Sequence, residues 1–326
     1  MWNARAPPLR RAYGPRGMPC ARVLLTLLLV TIASSPADAQ GWAPEGITLT
    51  WENDVFVRTD RHYTNGAALT LFGRFPESAA PCLLGSRAEW RLTLGHQIFT
   101  PDAIDDPDPI PTDRPYAGWL YLSLAAVRRD AELERSHLFA VDLGVVGPAS
   151  GAEDLQRVVH VGLLDSALPR GWRHQVASEP GLILRYELDQ RLWRTEGRGL
   201  DLDFAGRIGF ELGNVRTNGW LGFTCRVGWG VPDVYAPDPA WPLRVYLAAS
   251  ADVRLVGHDL FLDGSLLRSG GVRVNEQQLA VRASLGLTIT VHDAVSLSYV
   301  HTLLSPEFVG QEAADSFGSI SLTVSW

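Results

Sequence analysis

From Ser319 to Trp326 the chain alternates without a break: Ile320, Leu322, Val324 and Trp326 point one way, Ser319, Ser321, Thr323 and Ser325 the other. Successive side chains in a strand leave on opposite faces, so one face of this terminal strand is wholly apolar and the other small and polar. The period recurs upstream. Leu279, Val281, Ala283, Leu285, Leu287, Ile289 and Val291 alternate with Arg282, Ser284, Thr288 and Thr290, and Leu202, Phe204, Ile208, Phe210 and Leu212 alternate with Asp201, Asp203, Arg207 and Glu211. Charges of both signs on one face of such long strands, with unbroken hydrophobics on the other, suit a closed barrel that has lipid outside and water inside. They suit a soluble sandwich poorly, because its polar face does not need such long strands. The expected fold class is therefore all-β, a transmembrane antiparallel barrel of outer-membrane type.

About twelve segments carry the pattern: 46–52, 65–74, 88–98, 117–128, 134–146, 178–194, 198–214, 218–230, 242–257, 273–291, 294–304 and 316–326. An even number is what a closed bacterial barrel requires. Val231 to Trp241 fits badly, being long and Pro-rich where a short turn is expected, so the count stands open by a pair of strands.

The N-terminal region agrees with export. Arg5, Arg10, Arg11, Arg16 and Arg22 precede an apolar run from Val23 to Ile32, followed by Ala37-Asp38-Ala39. This reads as a signal peptide over residues 1–39, too short in its apolar part to span a bilayer as a helix. Residues 40–326 then form a single barrel domain, and Met18 is a candidate start. The whole chain has a net charge of −7 and contains no lysine, and removing the Arg-rich leader makes it more acidic still. Acidity without basic tracts argues against nucleic-acid binding. Cys82 lies in a Pro/Gly-rich turn, whereas Cys225 shares parity with Leu221, Phe223 and Val227 on the apolar face, so a bridge between them is not expected.

With the N-terminus in the periplasm, segments 53–64, 99–116 and 147–177 leave the barrel at its extracellular rim. They hold the unusual polar residues. The first contains Asn53-Asp54-Val55-Phe56 and Asp60-Arg61-His62-Tyr63-Thr64-Asn65-Gly66, and the second Arg114-Pro115-Tyr116-Ala117-Gly118-Trp119. The third contains Gly147-Pro148, then Gln156-Arg157-Val158-Val159-His160, then Gly171-Trp172. Together these resemble the outer-membrane lipid A 3′-O-deacylase family. The resemblance covers most of the N-terminal half of the mature chain and implies a twelve-stranded barrel with calcium-dependent esterase activity. The implied substrate is lipid A of lipopolysaccharide, from which an acyloxyacyl group is removed in the outer leaflet. The family's catalytic histidine matches His160, and its neighbouring functional positions match Asn53, Asp54, Thr64 and Gln156.

The residues themselves agree. Glu153 to Leu164 lacks proline, with Leu155, Val158, Val159 and Leu163 forming an apolar helical face, so a short helix is expected in this loop. Gln156 and His160 stand at i and i+4 and share a face. A neutral imidazole there can take a proton from water. Calcium needs several oxygen ligands, and Asp54, Asn53 and loop carbonyls supply them. Arg114 is the only candidate for a cationic helper at the ester carbonyl, and arginine cannot serve as a base. His62 reads as a solvated loop residue and His96 as a packing residue. The cluster Asp102, Asp105, Asp106, Asp108 and Asp113 reads as a solvated loop, and Asp201, Asp203, Arg207 and Glu211 as a charge network filling the lumen. A monomer is expected. The competing function is a catalytically silent barrel serving as a pore or adhesin.

Overall fold

Twelve strands account for most of the computed structural model, which describes residues 42–57, 62–75, 88–159, 169–195, 199–236 and 238–326. The leader, Cys82, His160 and the stretch after it lie outside the described residues. The strands are β1 (Gly46–Asn53), β2 (His62–Arg74), β3 (Ala88–Thr100), β4 (Ala117–Asp130), β5 (Arg135–Val146) and β6 (Glu179–Thr195). They continue with β7 (Asp201–Gly213), β8 (Arg216–Trp229), β9 (Leu243–Asp259), β10 (Leu279–Val291), β11 (Val295–Leu304) and β12 (Asp315–Ser325). Each pairs antiparallel with its sequence neighbours, and β1 closes the ring on β12 from Gly46↔Ser325 to Asn53↔Gly318. Closure leaves no strand edge unpaired, the condition for backbone to cross a membrane in β form.

The alternation sorts as its chemistry demands. Leu49, Leu285, Leu297 and Leu322 are exposed on the outer face. Inside, the small hydroxyls form cross-strand pairs, with Thr48 to Thr323 at 2.8 Å, Thr50 to Ser321 at 2.9 Å and Thr288 to Ser298 at 2.9 Å. Higher in charge are β5 to β9, where Arg185 bonds Glu211 and Asp142, each at 2.9 Å, and Arg207 bonds Glu187 at 2.8 Å. The lumen network anticipated around Asp203, Arg207 and Glu211 is thus present. Cys225 is a free thiol on β8.

The strand count is twelve, and Val231 to Trp241 does not add a pair. Instead it folds back over the end of the barrel where β1 begins and β12 ends. Val231 and Tyr235 are buried, Arg191 donates to Asp233 at 2.6 Å, and the Arg191 guanidinium lies 4.6 Å from the Tyr235 ring centroid. A long, Pro-rich segment suits this role because it must cross an opening without pairing. At the opposite end, helix α2 (Leu260–Asp263; α1 is given below) turns into the mouth. Leu260, Phe261 and Leu262 are all buried there, and Phe261 stacks on Phe99 at 4.5 Å. Tyr63, Trp119, Val146, Ile183 and Phe317 complete this apolar layer. Between the two closures lies a cavity of 500 Å³ lined by Arg185, Glu187, Arg207, Glu211, Arg254 and Arg282 among others. Strand β10 begins at Leu279, not Arg273, because the preceding residues pack down: Val274 is buried with Leu262 and Phe308.

Candidate functional site on the outer wall

Exposure fixes which residues face outward at the end where β1 finishes and β12 begins. On β1 the exposed Leu49 and Trp51 share parity with Asn53; on β3, Leu94 shares it with His96, Ile98 and Thr100; on β4, Leu122 and Leu124 share it with Gly118. On β2 a register irregularity between Tyr63 and Asn65 resets the alternation. Tyr63 turns inward against Phe99 and Phe317, while the Thr64 hydroxyl bonds that of Thr100 at 2.6 Å. Asn53 pairs with Asn65 across the ladder. Asn53, Thr64, Asn65, Ile98 and Thr100 thus form one strip of the outer wall, and yet all are buried.

Part of the cover is helix α1 (Ala152–Val159). The turn before it needs glycine at both ends: Gly147 and Gly151 have φ of 74° and 71°, a conformation that L side chains resist. Ser150 Oγ donates to the Gly147 carbonyl at 2.7 Å. The Ser150 carbonyl lies 3.1 Å from His96 Nε2, and because a carbonyl only accepts, Nε2 carries the proton. His96 therefore tethers the start of the helix to the wall. A Cβ on Gly118 would lie 2.1 Å from Ser150 Oγ and 2.3 Å from Ala152 Cβ, so the helix rests directly on β4.

The helix buries Ala152 and Gln156 against the wall, while Leu155 and Val158 of its apolar face are exposed at 37% and 39%, beside the exposed Asp154 and Arg157. Gln156 is 1% exposed and accepts a hydrogen bond from Trp172 Nε1 at 2.8 Å. Trp172 rests on Tyr116, ring centroids 4.9 Å apart, and Tyr116 donates to the Ile104 carbonyl at 2.9 Å.

Of the anticipated site residues, Asn53 and Thr64 lie on the buried strip and Gln156 on the wall side of α1. Asp54 is wholly buried in the single 3-10 turn (Asp54–Val57) that follows β1. His160 lies outside the described residues. Arg114 is buried but belongs to a different group: its guanidinium sits 4.8 Å from the inward Phe99 ring and donates to Glu307 at 3.3 Å. Asp102, Asp105, Asp106 and Asp108 are exposed, as a solvated loop requires, but Asp113, read as one of the same solvated cluster, is buried against His62. Thr100 and Trp172 carry contacts that sequence reading gave no role; the outward parity of Thr100 was the available signal. Among the described residues no three His, Cys, Asp or Glu side chains converge on a metal-sized site. A cation at Asn53–Asp54 would take one carboxylate and otherwise neutral oxygens, which suits a hard ion such as calcium and not the Cys/His set of zinc.

His62 is not a solvated residue. It is buried with φ of 65°, its Nε2 lies 3.2 Å from Asp113 and its Nδ1 2.5 Å from Asp315. Both contacts are hydrogen bonds only when both nitrogens carry protons, and the ring then clamps the loop before β4 to the start of β12. Burial pushes the Asp113 carboxyl up, but bonds from His62 and from the Asp102 and Arg114 amides outweigh it and hold it below its usual range. A carboxyl lowered on folding stabilises fully above its unfolded value and loses that contribution as pH falls through the folded one. Amide protection in residues 101–116 should therefore fall below about pH 4, with Asp113→Asn removing that acid dependence. Protection unchanged in the native protein down to pH about 2 would refute the clamp.

A family model described as outer membrane protein LpxR matches residues 23–326. Among solved structures, LpxR from Salmonella typhimurium aligns with a TM-score of 0.73 at 17% identity, covering 86% of this chain and 100% of that one. Two looser likenesses are the β domain of the Bordetella autotransporter BrkA, with TM-score 0.45, 10% identity and coverage of 87% and 100%, and an outer membrane channel from Pseudomonas putida F1, with TM-score 0.42, 12% identity and coverage of 90% and 100%. No curated protein sequence matches the chain. At these identities the solved structures speak to the fold, and the family model speaks to descent.

Proposed function

The chain belongs to the LpxR family of lipid A 3′-O-deacylases, and from that premise we propose that it is a calcium-dependent esterase with its site at the extracellular rim. It is an outer-membrane protein that remodels lipid A; the finer reading concerns how. The observation that carries it is Gln156, a polar side chain buried on the wall side of a helix whose apolar residues face outward. Such a seam opens toward the leaflet, where the substrate is anchored.

In this reading His160, four residues after Gln156, takes a proton from water as the water oxygen attacks the acyl carbonyl. The ester C–O bond then breaks, and the imidazolium returns the proton to the departing 3′ oxygen of the sugar. The Thr64 hydroxyl and Asn53 amide, on the strip beneath, orient the ester by hydrogen bonds. Asp54 and Asn53 would hold calcium, which when bound polarises an ester carbonyl. Arg114 has no part, because its guanidinium is directed at Glu307. Among the described residues an apolar layer around Phe261 occupies one end of the barrel, and Val231 and Tyr235 are buried at the other.

Mass spectrometry of lipid A from cells expressing the chain, in calcium and in a host making 3′-acyloxyacyl lipid A, tests the reading. The expected result is loss of the 3′-linked acyloxyacyl mass with the native protein and retention of it with His160→Ala. Unchanged lipid A in the presence of folded native protein would sink the enzyme reading; full activity in His160→Ala would remove the histidine mechanism alone.

A further inference from the structure

We propose that the barrel lumen binds a small inorganic oxyanion, phosphate or sulfate, in the guanidinium fork of Arg282, with Arg216 and Arg254 completing the site. The site goes beyond the esterase reading and does not depend on it.

The case starts from an arginine without a counter-ion. Arg282 lies on β10 and stands directly across the ladder from Asp252 of β9. Opposite charges so placed attract, which makes Asp252 its natural partner. That carboxylate is taken instead by Arg254, two residues further along β9, whose Nε donates to Asp252 Oδ1 at 2.6 Å. Two arginines thus compete for one buried carboxylate. Among the described residues Arg282 has neither ion pair nor hydrogen bond, and its Nε is shut off from solvent with no acceptor. A guanidinium cannot relieve this by losing its proton, and a charge held away from bulk water is costly until something of opposite sign meets it.

The carboxylates that share the 500 Å³ cavity with Arg282 are already engaged. Glu187 accepts from Arg207 at 2.8 Å and from Trp220 Nε1 at 3.1 Å. Glu211 accepts from Arg185 and Asn218, each at 2.9 Å. Glu307 accepts from Arg114 at 3.3 Å, Glu52 from the Tyr63 hydroxyl, and Asp259 from Arg216 at 3.3 Å.

Arg216 and Arg254 line the same cavity, and each uses only Nε on a carboxylate. Their Nη groups have no acceptor among the described residues. Aromatic rings fix both planes: the Arg254 guanidinium lies 4.9 Å from the Trp220 centroid, and that of Arg216 lies 5.1 Å from Phe261 and 5.6 Å from Phe99. The donors are therefore placed before a ligand arrives. Planar forks of this kind match the paired oxygens of a tetrahedral oxyanion, and an ammonium does so less well. A phosphate on a lipid offers the same chemistry, but its acyl chains would have to enter a lumen lined by charge. The free ion needs no such passage, and once bound it ties β8, β9 and β10 together beneath the apolar layer.

Equilibrium dialysis of the folded native barrel in lipid-free detergent against radiolabelled inorganic phosphate, at constant ionic strength, tests this. A single phosphate should bind per chain, displaced by sulfate but not by an equal concentration of chloride. Arg282→Met should bind none. Arg282→Lys, which keeps the charge and loses the fork, should bind about 10-fold more weakly, and it carries the test if the Met variant fails to fold. Arg268→Gln, on an exposed loop, should bind as the native protein does. Stability gives an independent readout: the urea midpoint of the native protein should rise with phosphate concentration, and that of Arg282→Met should not respond. Without phosphate, Arg282→Met should be at least as stable as native, since the unmatched charge is gone. No bound phosphate in the native protein, full binding by Arg282→Met or Arg282→Lys, displacement by chloride, or loss of binding in Arg268→Gln would each overturn the site. A midpoint raised by phosphatidic acid in the detergent but not by inorganic phosphate would overturn the free ion in favour of a lipid headgroup.

Discussion

Asp54→Ala is expected to lower lipid A deacylation by about 100-fold or more while the barrel remains folded. Ring closure depends on the pairs from Gly46 to Asn53, and Asp54 lies beyond the last of them. Its carboxylate is wholly buried, beside the buried Asn53, at the end of the barrel that carries α1. In the proposed function this carboxylate is a ligand to calcium, and the activity should vanish in excess chelator and return with calcium. Asp54→Asn keeps the shape and an oxygen but removes the charge; it should retain residual activity that needs a much higher calcium concentration. Rates measured across buffered free calcium distinguish the cases. A native calcium dependence in Asp54→Asn would move the ion elsewhere, and chelator-resistant activity in the native protein would remove it from the mechanism.

Much of the architecture was legible because lipid outside and water inside impose a period of two on every strand. The twelve segments read from alternation coincide with β1 to β12 to within a few residues, apart from the start of β10. The same parity places Asn53 and Thr100 on the outer wall. What the period does not govern was harder to see. Val231–Trp241 has no alternation, and its course is set by Arg191 and Tyr235 meeting it from inside the barrel. The start of β10 moved because Val274 is drawn into contact with Leu262 and Phe308, a tertiary event with no local signature. The apolar period of α1 did not say which side packs: Leu155 and Val158 are exposed, and the side against the wall is the one holding Gln156. The direction of Arg114 depended on Glu307, nearly two hundred residues away. His62 was read as solvated because its two partners are remote in sequence, Asp113 in the loop before β4 and Asp315 at the start of β12.

The end of the barrel where β1 begins and β12 ends offers the largest expected effect on stability. Asp203, on β7, is 1% exposed; it accepts from Arg191 at 3.1 Å and lies 2.9 Å from Arg226. Arg191 also binds Asp233 of the closing loop and Glu134 of the β4–β5 turn. One carboxylate thus sits between two arginines, and one of those ties the loop to the wall. Removing a single member of a buried ionic group leaves charge uncompensated, which costs about 3–5 kcal/mol, whereas replacing a whole group can cost little. Asp203→Ala should therefore lower unfolding stability by about that amount. Asp203→Asn, which keeps an oxygen for Arg191, should lose less. The Asp233 carboxyl provides a second readout. Burial pushes it up, yet the bonds from Arg191 and the Tyr235 amide hold it below its usual range. With Arg191 released from Asp203, the loop's protection against proteolysis should fall as well. Activity per folded molecule should be unchanged, because the site lies at the opposite end. Equilibrium denaturant unfolding in lipid vesicles measures the effect, and a native midpoint in Asp203→Ala would mean that Asp233 and Glu134 alone suffice to neutralise the arginines.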